Sequence, residues 1–143
     1  MPHFDFPCPH VIELTVQPDD IDAYLHVNNA VYLSWFDRAA WSHSAALGMP
    51  LERCLALRRG MAALRTEIDY LSAAVQDDRV QVATWIARSD GKLRCERRFQ
   101  VRRLGDGRTL ARARVDYVCI NLDSGRATRM PETFVRAYVA TAP

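Results

Sequence analysis

Residues 19–32, Asp-Asp-Ile-Asp-Ala-Tyr-Leu-His-Val-Asn-Asn-Ala-Val-Tyr, set three carboxylates, an imidazole and two carboxamides directly ahead of an apolar run. The order acid, histidine, asparagine, then helix-forming residues is what a catalytic helix N-terminus requires. A carboxylate can act there as nucleophile or general base, and the unpaired N–H groups of a first helical turn can receive developing negative charge. The same residues also suit a plainer arrangement, in which Asp20 and Asp22 close Asx turns and Asn28 or Asn29 only caps the helix.

A helix must follow for either arrangement to hold. From Ala30 to Leu47, Asp37 and Arg38 are the only fixed charges, and Gly48 followed by Pro50 supplies a stop. The spacing predicts a helix of about 18 residues, roughly 27 Å long. It is apolar on most sides, which implies that protein wraps it rather than that it lies on a surface.

Around that helix the hydrophobic period is two. Ile12, Leu14 and Val16 alternate within a strand over residues 10–17. Ala62, Leu64, Thr66, Ile68 and Tyr70 share a face of the next, followed by Val80, Val82, Thr84 and Ile86, then Leu93, Cys95, Phe99 and Val101, then Ala111, Ala113, Val115, Tyr117 and Cys119. Turns carrying glycine (Ser-Asp-Gly-Lys, Gly-Asp-Gly-Arg, Asp-Ser-Gly-Arg) separate the later strands and make them antiparallel neighbours. The expected fold is α+β in one domain, residues 1–143, with a sheet of five or more antiparallel strands curled around one long helix and a short terminal helix near residues 131–138.

The first motif, with the later Thr-Glu-Ile-Asp-Tyr-Leu-Ser-Ala-Ala and Asn-Leu-Asp-Ser-Gly-Arg-Ala-Thr-Arg-Met-Pro-Glu, resembles the 4-hydroxybenzoyl-CoA thioesterase family of hotdog-fold enzymes from about Val11 to Glu132. The resemblance implies an acyl-CoA thioesterase, hydrolysing a thioester to a carboxylate and free coenzyme A. Asp22 matches the family's catalytic carboxylate, and Asn29 matches the position whose backbone N–H polarises the carbonyl. His26 is then a supporting hydrogen bonder and Tyr32 a wall of the pocket. Many relatives carry glycine directly before the histidine, where this chain has Leu25; if that position needs positive φ, leucine is strained there. The alternative is a non-catalytic protein that binds acyl-CoA or an acyl carrier protein without turnover.

The basic run from Arg88 to Arg114 holds ten Arg or Lys residues, mostly at alternate positions, as on the solvated outer face of a sheet. Few aromatics interleave with them, which argues against a nucleic-acid platform. The phosphates of coenzyme A need only two or three cations, for which Arg88, Ser89, Lys92 and Arg129 are the candidates. Alternation turns Arg97 inward, an odd place for a charge, and marks it as a bulge or a subunit contact. Cys8, Cys54, Cys95 and Cys119 form no CxxC, and the histidines show no ligand spacing, so neither a metal nor another cofactor is expected. No apolar run approaches the roughly 20 residues of a membrane span, and residues 1–10 lack a signal-like pattern, so the expected address is the cytoplasm. The open edges of such a sheet predict a homodimer or homotetramer whose sites are walled by two chains.

Overall fold

In the computed structural model, which describes residues 4–142, the change from period two to period 3.6 and back becomes strand, helix and sheet in that order. Strand β1 is His10–Thr15, and a single 3₁₀ turn, Pro18–Asp20, leads into the polar loop. Helix α1 spans Asn29–Ala46, and a short helix α2, Leu51–Leu57, follows it. Strands β2 (Arg59–Tyr70), β3 (Arg79–Ser89), β4 (Arg94–Arg103) and β5 (Thr109–Asn121) come next, then helix α3, Glu132–Ala137. All five strands join one antiparallel sheet in the order β1-β3-β4-β5-β2, with α1 against its concave face. This is the hotdog arrangement. No helix of the described residues is long and apolar enough to cross a membrane.

Asn28 starts α1 by accepting the Ala30 N–H on its side-chain oxygen at 2.9 Å, and Gly48, at φ +89°, ends it. Tyr32, Trp35, Phe36, Ala39, Ala40 and Ser44 form the buried stripe, at i, i+3, i+4 spacing. Phe36 meets Phe99 with ring centroids 4.9 Å apart, and the inward residues of β3 and β5 complete the main core.

Three local readings of the sequence need correction, and one element was not foreseen. A single chain does not wrap α1: Leu33 and Trp41, on its other side, are 46% and 44% exposed. In β2 a bulge between Ala63 and Arg65 reverses the alternation, so that Met61 and Ala63, opposite Cys119 and Tyr117, take the sheet face expected of Ala62 and Leu64. The unforeseen element is helix α2, which closes with Arg58 at φ +53° rather than with glycine. The basic outer face is not simply solvated, because residues 4–9 are strapped across it. Phe4 and Phe6 set their edges on Trp85, Trp85 Nε1 donates to the Pro7 carbonyl, and Arg112 grips Asp5 through two hydrogen bonds. Arg102 is buried there under the Phe4 ring.

Candidate active site

The tip of α1 is held by a narrow loop. Ile21 and Val27 form an isolated antiparallel bridge, the Asp22 N–H donates to the His26 carbonyl at 2.9 Å, and the Leu25 N–H donates back to the Asp22 carbonyl at 3.0 Å. The Asn28 N–H donates to the Asp20 carbonyl and the Val27 N–H to the Ala74 carbonyl, both at 2.9 Å, so the loop is sewn to the helix entrance and to the β2–β3 connection. Asp22 and Asn29 thereby stand on the two limbs of one short loop.

Leu25 has φ +64°, the left-handed region where glycine sits at no steric cost. Leucine there costs about 1–2 kcal/mol. The loop therefore holds Leu25 at positive φ and bears that strain.

The half-buried Asp22 accepts the Tyr24 N–H on Oδ1 at 2.9 Å, and its Oδ2 has no donor among the described residues. Asp20 differs: its Oδ2 accepts the Gln17 N–H at 2.8 Å and so braces the 3₁₀ turn. Of the first-turn amides of α1, Ala30 donates to the Asn28 side chain and Val31 to the Asn28 carbonyl, while the Asn29 N–H has no acceptor among the described residues. The Asn29 carbonyl accepts the Tyr70 hydroxyl at 3.0 Å, which pins the tip to the end of β2.

His26 is exposed, and its backbone carbonyl rather than its ring is what holds Asp22. Tyr32 lies in the core, edge-on to Trp35 and Tyr70 at 5.0 and 5.4 Å between centroids, and positions the helix.

Arg88, Ser89, Lys92 and Arg129 gather elsewhere. The Met130 N–H donates to the Lys92 carbonyl at 2.7 Å, which lays the Arg129 segment along the β3–β4 hairpin. Ser89 Oγ accepts the Gly91 N–H, and Asp90 gathers the N–H groups of Arg94, Lys92 and Leu93, that of Arg94 foremost, which hold its carboxyl below the usual carboxylate range. β3 begins at Arg79, next to the Asp78–Val16 contact, and Ser89 lies ten residues further on, about 33 Å away at the usual strand rise. Within one chain these cations do not reach Asp22.

One turn below Asn29, at Leu33, a cavity of about 220 Å³ opens between α1, β2 and β5 and runs to Ser44. Arg97, only 5% exposed, lines it, donating to His43 Nδ1 at 2.7 Å and to Ser44 Oγ at 3.0 Å. The Tyr138 hydroxyl also donates to Ser44 Oγ, and His10 stacks on His43 at 5.0 Å. Burial first, then the Arg97 charge, then His10, pull His43 down to about 4, so at neutral pH it is the uncharged acceptor that Arg97 needs. Alternation alone marks Arg97 as inward; its partners on α1 lie more than fifty residues away in sequence and only the packing reveals them.

The model of the thioesterase-like superfamily matches residues 16–138, which takes in the loop, the helix and the whole cavity. The chain belongs to this superfamily. No curated protein matches the chain in sequence. Among solved structures, a 1,4-dihydroxy-2-naphthoyl-CoA thioesterase from Synechocystis is similar at TM-score 0.81 and 20% identity, over 92% of this chain and 96% of that one. A gentisyl-coenzyme A thioesterase is similar at TM-score 0.80 and 19% identity, over 90% and 99%. A Staphylococcus aureus protein in complex with CoA is similar at TM-score 0.84 and 22% identity, over 94% and 84%. At these identities the likeness is one of fold.

Proposed function

We propose that the protein is an acyl-CoA thioesterase in which Asp22 supplies the carboxylate and the Asn29 N–H the oxyanion donor. The observation that carries this reading is the pairing, on one bridged loop, of a carboxylate oxygen without a donor and a first-turn amide without an acceptor. Attack on a thioester carbonyl, by Asp22 itself or by a water it deprotonates, moves negative charge onto the carbonyl oxygen. A preorganised N–H at that position is worth about 2.7–4 kcal/mol in other acyl-transfer enzymes. The Tyr24 N–H fixes the carboxylate and the Tyr70 hydroxyl fixes the helix tip, so neither group has to be ordered when substrate arrives.

The working unit in this reading is at least a homodimer. β2 is an edge strand carrying the exposed Leu64, and Leu33 and Trp41 of α1 are exposed apolar side chains as well. Antiparallel pairing of β2 with its copy sets the Tyr70 end, beside Asn29, next to the partner's Gly60 end. That brings the partner's hairpin, with the partner's Arg88, the partner's Ser89, the partner's Lys92 and the partner's Arg129, toward the α1 tip, where these groups take the phosphates of coenzyme A. This resolves the separation within one chain, whose scale is the length of β3, about 33 Å at the usual strand rise.

Incubating the protein with a panel of acyl-CoAs and a thiol reagent tests the proposal. Thiol release that is lost in Asp22→Asn and kept in Asp20→Asn is the expected result. Tight acyl-CoA binding without thiol release would instead identify a non-catalytic acyl-thioester binder.

A further inference from the structure

We infer that the cavity beneath the α1 tip selects acyl groups that end in a carboxylate, with Arg97 as the residue that binds that end. The inference rests on the thioesterase reading for the path of the acyl group, and on its own observation for the chemistry.

That observation is a buried cation in neutral company. A guanidinium has five N–H donors and cannot shed its charge in practice. Two hydrogen bonds, to His43 and Ser44, are what Arg97 makes among the described residues, and no carboxylate there lies within ion-pair distance of it. Its neighbours do not become anions near neutrality: burial pushes the Tyr117 hydroxyl up to about 12 and the Cys95 thiol to about 11, and Tyr138 is raised by the same cause. Burying an unpaired charge is strongly unfavourable, and the fold here gives Arg97 only neutral acceptors. A carboxylate entering the cavity would supply the missing partner, and guanidinium–carboxylate pairing is two-pronged and strong.

The remaining walls set the rest of the ligand. Phe36, Ile86 and Val115 are apolar, and the volume of about 220 Å³ exceeds the roughly 150 Å³ of a cavity known to hold benzene. The space therefore accepts a ring or a run of methylenes with one anionic end. A plain hydrocarbon chain would strip what water reaches the guanidinium and return nothing, so the same residue that favours one class disfavours the other. Asp37 is the one carboxylate lining the cavity; it lies seven residues before Ser44, about 10 Å along the helix, and works against an anionic group there.

The test is a panel of acyl-CoAs of graded length, each as a methyl-ended and a carboxyl-ended pair, with kcat/KM measured for both members. At the length that reaches Arg97 the carboxyl-ended member is expected to be favoured by about tenfold or more, the range for a hydrogen bond to a charged group. Arg97→Met is expected to bring that ratio to one or below, and Asp37→Asn to raise it. If Arg97→Met fails to fold, Arg97→Gln, which can still donate to Ser44, replaces it with the same expectation. A wild-type preference for the methyl-ended member at every length, or a ratio unchanged in the Arg97 variant, overturns the inference. Failure to hydrolyse any acyl-CoA would sink the thioesterase reading instead. In that case calorimetry with free α,ω-dicarboxylic acids decides the inference: binding that disappears without Arg97 sustains it, and no binding overturns it.

Discussion

The two ends of α1 handle polar groups in opposite ways. At the N-terminal end, Asp22 and the Asn29 N–H stand on a thin loop with spare hydrogen-bonding capacity, close to solvent and fixed by backbone contacts. At the C-terminal end, His43, Ser44, Arg97 and Tyr138 form a largely buried network between helix and sheet at the inner end of the cavity, in which side chains hold one another. The contrast follows from what each end would do. Bond-making groups must be open to substrate and water yet oriented in advance, which backbone amides do at little entropic cost. Recognition of a substituent gains from burial, because electrostatic pairing is stronger where water is excluded.

Separating the two ends by mutation gives the largest expected effect. Asp22→Asn should lower kcat about 10²–10⁴-fold for every acyl-CoA tested, the usual range for loss of an acid–base group, whereas Arg97→Met should change the ranking of substrates. Equal effects of both variants across all substrates would erase the distinction.

Next in size is the link between the ends of neighbouring chains. Leu64 lies near the middle of the edge strand β2, and Leu64→Glu would place two carboxylates close to the proposed two-fold axis. The expected outcome is a shift from dimer to monomer in light scattering, with at least a tenfold fall in kcat/KM. A monomeric variant of undiminished activity would show that one chain suffices. Smaller again, Lys92→Ala combined with Arg129→Ala should raise KM for acyl-CoA several-fold and leave kcat nearly as it was, since the phosphates lie far from the reacting carbonyl.

The buried end also has a pH signature. His43 is depressed from 6.5 to about 4 by burial and by Arg97, so between those values the unfolded chain binds the proton that the folded one refuses. Its contribution to stability is complete above pH 6.5 and is lost as pH falls toward 4. Denaturant titrations across that window should show a slope that His43→Gln removes. The smallest effect belongs to the loop: Leu25→Gly should relieve the left-handed strain and, after the extra freedom of glycine in the unfolded chain is subtracted, stabilise by about 1 kcal/mol in chemical denaturation.

Much of this was legible in the chain itself. The α1 boundaries follow from Asn28 and Gly48, and the inward faces of β3 and β5 follow from alternation, because capping and pleat are local properties. The reading of β2 failed at its first half because one bulged residue reverses every side chain before it, and nothing in Ala-Ala-Leu-Arg announces a bulge. The strap of residues 4–9 escaped notice because Phe4 and Phe6 find Trp85 only once the sheet exists.

Residue order by itself determined the elements, the sidedness of most strands and the crowding of an acid and asparagines at a helix start, since each depends on neighbours a few positions apart. Only the tertiary structure decided that Arg97 faces His43 and Ser44 instead of a carboxylate, that the hairpin cations lie far from Asp22 in one chain, and that one side of α1 is left uncovered. Those outcomes depend on which distant segments share a volume, and the free energy of a buried charge or an exposed apolar face is set by that company rather than by the local sequence.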